Sequence, residues 1–320
     1  MATLTAAAPV RRETEWSVAV AGAALVVFLT AAPFVLYPVF VMKALCFALF
    51  ACAFNLLIGY VGLVSFGHAL YFGWASYLAA YSAKVWGLPP ELAVLCGTAT
   101  ALVLGLIAGV VAIRRQGIYF AMITLALAQM MYLVALRVKM TGGEDGIQGV
   151  PRGHLFGTFD LNNETTMYAF VAIVVLAAFF LIYRIINSPF GEVLKAIREN
   201  EQRAISLGYK TDDYKLVAFV LSATLAGLAG SLKALVFQLA SLTDVHWTMS
   251  GDVVLMTLVG GLGTIFGPIV GAFLIVALEN YLAPFGQWVP VIQGAVFVIC
   301  VLSFRRGIVG ELAARLRVRL

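Results

Sequence analysis

The residues through which this 320-residue chain could do chemistry are few, and their spacing argues against most of it. His68, His154 and His246 are scattered, and Cys46, Cys52, Cys96 and Cys300 all lie inside apolar segments. No CxxC pair and no neighbouring histidine gives the ligand spacing of a metal site, so reduced packing is the role expected of the thiols. Nor does any histidine suggest a nucleophile–base pair. None of the seven lysines follows a glycine, so the GxxxxGK[ST] phosphate cradle is missing and the chain is not expected to hydrolyse ATP itself. These observations predict no catalytic residue, no metal and no cofactor.

What remains is charge in an unexpected place. Hydrophobic residues make up 62% of the chain and charged ones 12%, yet "AIRENEQRAISLGYKTDDYKL", Ala196 to Leu216, holds four basic and four acidic side chains. Just before it, Ser188 can cap a helix, Pro189 suits the first helical position, and Gly208 can end the helix left-handed. Val193, Ile197, Ala204 and Leu207 then share one face, with Glu192, Lys195, Arg198, Glu199, Glu201, Gln202 and Arg203 over much of the rest. A second capped start follows at Thr211, Asp212 and Asp213. Such a helix can rest on lipid headgroups or fill a protein groove. Its mixed signs favour the groove, because lipid-surface helices favour lysine and arginine.

The elements that position this segment are apolar. Mean hydropathy is +0.98, and runs longer than about 18 residues recur without period-2 alternation, which requires helices that satisfy their own backbones. The fold expected is all-α, a polytopic transmembrane bundle with short, glycine-broken helices. Spans are predicted near residues 17–37, 39–59, 61–83, 92–113, 118–136, 167–186 and 215–237, then a broken run over 253–282, then 288–304. The first is too long for a signal-peptide core and is expected to be retained. Residues 1–16 and the basic stretch 305–320 become tails, and 17–304 the membrane domain, with an outer loop at 137–164 and an inner loop at 187–214.

Basic clusters at Arg11 and Arg12, Arg114 and Arg115, the 184–215 stretch, and Arg305, Arg306, Arg315, Arg317 and Arg319 predict the cytoplasmic side, with both termini inside a multi-pass protein. That parity has a consequence: the run 253–282 must cross an even number of times. Two short helices or a re-entrant hairpin broken at "GGLGTIFGP" satisfy it. Gly263, Gly267 and Gly271, with Pro268 between, either pack helices closely or line a translocation path.

Polar residues inside the spans are the other candidates. Asn55, Ser65, His68, Thr124, Gln129, Ser222 and Thr224 can bond across helices, and Asn55, Ser65, His68 and Gln129 are also candidates for a path. Gly59, Gly62, Gly67 and Gly73 let the third span bend. Proton or sodium coupling needs ionisable groups deep in the spans, and these are few. Lys43 and Lys233 lie near enough to span ends to snorkel, and Glu279 is expected near the outer surface. The outer loop, with Thr141, Gly142, Gly143, Asp145 and Gly146, reads as turn-rich. It either faces an extracytoplasmic protein or shapes the outer mouth. Its acidic pair lacks EF-hand spacing.

Four stretches carry a resemblance. "LKAIRENEQRAISLGYKTDDYKLVAFVLSATLAGLAGSL" resembles the cytoplasmic coupling loop and following helix of ABC-transporter permeases, in particular the LivM-type permeases of branched-chain amino-acid importers. "NLLIGYVGLVSFGHALYFGWASYLAAY", "MTGGEDGIQGVPR" and "LVGGLGTIFGPIVGAFL" resemble that family's third span, outer-loop signature and late glycine-rich segment. They occur in the family's order and cover most of the chain beyond about residue 40.

The resemblance implies a permease subunit of the cytoplasmic (inner) membrane that imports branched-chain or hydrophobic amino acids. Urea or short-chain amides are the alternative cargo, and a proton-coupled transporter or a membrane scaffold the alternatives of another class. It further implies a second homologous permease, two ATP-binding subunits and an extracytoplasmic solute-binding protein, besides membrane lipids, and no nucleic acid. The charged segment becomes a coupling helix, with Glu199, Glu201 and Arg203 docking an ATPase and Gly208 turning the chain into the next span.

Overall fold

The computed structural model of the chain describes residues 10–304 and 306–316. The beginning of the amino-terminal tail, and Arg305, Arg317 and Arg319 of the basic tail, lie outside the described residues. Thirteen α-helices are described: α1 (Val10–Val35), α2 (Pro38–Tyr60), α3 (His68–Lys84), α4 (Pro90–Ala112), α5 (Ile118–Arg137), α6 (Glu164–Ile186), α7 (Pro189–Glu199), α8 (Glu201–Ser206), α9 (Thr211–Phe237), α10 (Trp247–Gly260), α11 (Gly267–Leu282), α12 (Val289–Ser303) and α13 (Gly307–Leu316). Short strands β1 (Ile147–Gln148), β2 (His154–Leu155), β3 (Phe159–Asp160) and β4 (Leu239–Ala240) pair antiparallel, β1 with β4 and β2 with β3. Six helices among the described residues are long and apolar enough to cross a membrane: α2, α4, α5, α6, α9 and α11 with its continuation to Gly286.

The core sits around α2. A helix apolar on every side must be surrounded by protein or lipid, and α2 is almost wholly buried, packed by α6, α9, α10 and α11. α3, α4 and α9 form the adjoining layer. By contrast α4, α5 and α6 keep one side exposed and apolar, with Leu102, Leu106, Met122, Leu133 and Phe180 among the residues there, as a lipid-facing rim requires.

The break expected within residues 253–282 is present. α10 ends at Gly260 and α11 restarts with Pro268 in its first turn. The 14 residues of α10 reach only about 21 Å, less than the roughly 30 Å of a hydrocarbon core, whereas α11 runs on to Gly286 as a 20-residue apolar helix long enough to cross. They form an antiparallel hairpin whose backbones touch. A Cβ on Gly271 would stand 1.8 Å from the Met256 carbonyl oxygen, and one on Gly260 would stand 1.9 Å from that of Gly267. The chain reverses direction within this stretch.

Three boundaries differ from expectation. α1 starts at Val10, so the last residues of the expected 1–16 tail are already helical. The third span is helical only from His68, because Gly62 adopts φ +82° and Ser65 and Thr124 hydroxyls accept the Gly67 and Phe66 N–H groups, each at 3.2 Å. The charged segment is two helices, not one. Asn200 leaves helical geometry (φ −158°, ψ 99°), and its side-chain oxygen accepts the Arg203 N–H at 3.0 Å, the local competition with helix typical of asparagine.

Candidate coupling and translocation site

One end of the bundle gathers the ends of α2, α7, α10, α11 and α13 around the loop 261–266. Asn55 holds this loop from α2: its Nδ2 donates to the Thr264 carbonyl (2.9 Å), and its Oδ1 accepts the Gly263 N–H (3.0 Å). Gly59, one turn on, admits the loop, since a Cβ there would lie 2.9 Å from the Gly263 nitrogen. Thr264 closes the turn by accepting the Gly267 N–H (3.1 Å) and donating to the Gly261 carbonyl (2.8 Å). From below, α13 abuts it, with Gly307 against Gly261. So Gly59, Gly263, Gly267, Pro268 and Gly271 all serve close packing at the break, and the path reading of the same residues is not needed to explain them.

Arg198 of α7 reaches into this junction. Its Nη1 donates to the Gly59 carbonyl, one of the last-turn acceptors of α2 that has no partner within the helix. The same nitrogen lies against Gly263, and the aliphatic stem passes over Gly62, where a Cβ would be 3.2 Å from the Arg198 Cγ. A cation is also favoured beside a helix carboxyl end.

α7 and α8 lie across this end. Ser188 caps α7, its hydroxyl accepting the Gly191 N–H at 3.3 Å, and Leu194, Ile197 and Ala204 form the buried face. Leu207, expected on that face, is 70% exposed, and Ile205 is 48% exposed. The break at Asn200 rotates α8 and turns these two outward. Tyr209 is also exposed, as are Glu199 and Arg203. Gly208 takes φ +91°, the left-handed stop expected. Glu201 differs: it faces inward and pairs with the buried Lys215, while the Thr211 hydroxyl donates to it at 3.1 Å. Its carboxylate braces α8 on α9 rather than facing outward.

Of the remaining path candidates, Ser65 is buried and serves the turn before α3, and Gly67 lets that turn lie on Thr124. His68 is fully buried, ringed edge-on by Phe54, Tyr71 and Phe219. Its Nε2 bonds the Ser222 hydroxyl at 2.8 Å, and Ser222 in turn donates to the Ala53 carbonyl (2.5 Å), so the three residues tie α2, α3 and α9 together. Gln129 is half-buried on α5. These residues do not converge on one cavity.

Two lysines of the spans are ion-paired, whereas Asp252 on α10 makes no ion pair among the described residues. Lys43 reaches Glu279 at 3.1 Å, joining α2 to α11. Lys233 does not snorkel: it is buried and contacts both oxygens of Asp244, at 2.9 and 2.6 Å.

At the opposite end, the loop 137–164 is bolted to α9. β1 pairs with β4, and Arg152 donates to the Leu235 and Val236 carbonyls at 3.3 and 2.6 Å, partners for an otherwise open helix end. Thr141 is buried and donates to the Val138 carbonyl (2.6 Å). Gly142 and Gly146 adopt φ +76° and +67°, and a Cβ on either would stand 2.3 Å from a carbonyl oxygen, of Gly146 and Ala240 respectively. Gly143 also takes positive φ, and Asp145 is exposed. The β2–β3 hairpin beyond carries exposed Phe156 and Phe159. There the Asp160 carboxylate accepts the Asn162 backbone N–H (2.9 Å) and Nδ2 (2.8 Å), which hold its pKa below the ordinary value.

Sequence reasoning placed Arg198 on a polar face and passed over it, although it follows the buried Leu194 by four residues, the spacing of one helix face. The Lys233–Asp244 pair left a weaker signal, a lysine deep in an apolar helix. Lys215, Thr264 and Arg152 left none.

This architecture defines an integral, polytopic membrane protein. The family model described as "Branched-chain amino acid transport system / permease component" matches residues 38–302. The chain belongs to this family, the membrane permease subunits of ABC transporters. It is 25% identical over 288 residues to the high-affinity branched-chain amino acid transport system permease protein LivM of Escherichia coli K12, covering 83% of this chain and 68% of that protein. A 28% identity over 201 residues links it to the autoinducer 2 import system permease protein LsrC of Yersinia pseudotuberculosis, over 57% of this chain and 53% of that one. The probable branched-chain permease LivH of Methanocaldococcus jannaschii is 28% identical over 130 residues, 39% and 38% of the two chains. No solved structure matches.

Proposed function

We propose that this chain imports branched-chain or other hydrophobic amino acids across the cytoplasmic membrane, driven by ATP hydrolysed on two separate subunits that dock on α7 and α8. The α7 end then faces the cytoplasm with both termini, as the basic clusters favour. A second, homologous permease completes the membrane unit, and a solute-binding protein delivers cargo at the end carrying the 137–164 loop. The observation that carries this reading is the α7–α8 segment. It buries Leu194, Ile197 and Ala204 against the bundle while presenting Ile205, Leu207, Tyr209, Glu199 and Arg203 outward, an apolar centre with charges of both signs around it, which suits a protein groove.

Ion-paired Lys43, Lys215 and Lys233 are not free to change partners as a proton relay requires, which leaves Asp252 of α10 as the carboxylate that a relay would have to use. The cargo rests on the LivM relatives, and the LsrC relatives show that permeases with related sequences serve other solutes. Gly208 aims α9 away from the docked segment, and Glu201 holds α8 in register on α9.

Reconstitution in proteoliposomes tests the reading. Labelled leucine is expected to accumulate only when the ATPase subunits, the second permease, the binding protein and ATP are all supplied. Gly208→Val is expected to abolish uptake and pull-down of the ATPase. Uptake by this chain alone under a proton gradient overturns the proposal, and uptake of urea or acetamide in place of leucine overturns its cargo.

A further inference from the structure

We infer that Arg198 is the positioning residue that ties movement of α7 to movement of the broken α10–α11 hairpin, an inference that rests on the proposed docking of an ATPase at α7 and α8. α7 otherwise packs mainly on α2, α6, α8 and α9 among the described residues. Leu194 and Ile197 are apolar contacts, which permit sliding, whereas a guanidinium with a directed donor fixes position.

The geometry makes Arg198 the meeting point of three elements. Its Nη1 holds the Gly59 carbonyl at the end of α2, and the same group lies against Gly263 in the loop between α10 and α11. Its stem covers Gly62, the left-handed residue where the chain turns toward α3. The glycines at 62 and 263 leave the room it occupies, since a Cβ at either would stand 3.2 Å from an Arg198 atom.

The loop it touches is itself rigidly held. Asn55 bonds both Gly263 and Thr264, and Thr264 ties Gly261 to Gly267. A displacement of α7 is therefore transmitted to both ends of the hairpin break at once. The two helices joined there pack on each other through glycines, backbone against backbone, so they can shift as a unit without opening a backbone to lipid. Arg198 as a whole is exposed on α7, but its Nη1 is turned inward onto Gly59 and Gly263, so the contact that ties α7 to the hairpin is made on the bundle side of the helix.

The test uses the full complex in proteoliposomes. With Arg198→Ala, ATPase binding and ATP hydrolysis are expected to stay within about twofold of wild type, while leucine transported per ATP falls at least about fivefold, the lower range of a coupling energy between sites. Spin labels at Glu199→Cys and Leu262→Cys, both exposed, with Cys96 and Cys300 replaced by alanine, supply a readout that simple destabilisation does not move. Their separation is expected to stay constant through the nucleotide cycle in wild type and to vary in the variant. Should the alanine protein fail to fold, Arg198→Gln, whose amide cannot reach both Gly59 and Gly263, is expected to give the same result.

Unchanged transport per ATP in either folded variant, or a label separation that varies in wild type, overturns the inference while leaving the ATPase-driven reading intact. A wild-type chain that binds no ATPase subunit overturns both.

Discussion

Lys233 grips both carboxylate oxygens of Asp244, at 2.9 and 2.6 Å, where α9 meets the segment that leads to α10. Both residues are buried, and the same carboxylate accepts the Ser241 N–H at 3.2 Å. Removal of one partner strands the other, a loss of about 3–5 kcal/mol for a buried pair. Asp244→Ala and Lys233→Ala are each expected to lower the thermal unfolding midpoint in detergent strongly. The double variant Lys233→Met, Asp244→Leu is expected to recover most of the loss, and midpoints that simply add would show that the two charges do not depend on each other.

Backbone contact in the broken hairpin leaves no room for a methyl group. Gly271→Ala would set its Cβ 1.8 Å from the Met256 carbonyl oxygen, and overpacking of this kind costs about 1–3 kcal/mol or more. Folded yield should fall. Gly294→Ala on α12 meets nothing within 4 Å and is expected to be neutral or to gain about 0.5–1 kcal/mol, as glycine loses to alanine inside a helix. Size-exclusion yield and unfolding midpoint measured side by side check the contrast.

The outward apolar residues of α8 separate folding from partner binding. Ile205→Ser and Leu207→Ser are expected to change the stability of the isolated chain by less than about 0.5 kcal/mol, the usual range for surface changes. Affinity for the ATPase subunit is expected to weaken by about 1–3 kcal/mol, or roughly 5- to 150-fold. Titration of the labelled ATPase against the solubilised permease reads this directly.

Acid should loosen the β2–β3 hairpin before it touches the bundle. Asp160 is held below its ordinary pKa of 3.8 first by the Asn162 backbone N–H and then by the Asn162 side chain. A carboxyl depressed on folding contributes stability above its unfolded pKa and loses it as the pH falls through the lower folded value. Amide exchange at Asn162 is therefore expected to speed up below about pH 3.8, the unfolded value of an aspartate, and Asn162→Ala to raise the Asp160 pKa toward normal, observed by NMR.

Much of the architecture was legible in the chain itself. Lipid demands that each span satisfy its own backbone, so apolar length alone marked α2, α4, α5, α6 and α9 to within a few residues, and the glycines and proline of the late apolar run marked its break at 261–266. Local caps were equally readable, with Ser188 starting α7 and Gly208 ending the segment. The kink at Asn200 was missed because helix and asparagine cap compete within a fraction of a kcal/mol of each other, and only the packing of Leu194 and Ala204 chose between them.

The pairings belonged to the tertiary structure. Lys43 and Glu279 are 236 residues apart and Arg198 and Gly59 139 apart, and no local pattern announces which distant charge or carbonyl a side chain will meet. Helix packing brings them together, so Glu201, whose sequence suited an outward docking charge, turns inward to the buried Lys215. Composition determined that this is a helical membrane bundle because burial in lipid is a property of each segment. Which residues transmit force, brace or face a partner was decided by how the segments lean on one another.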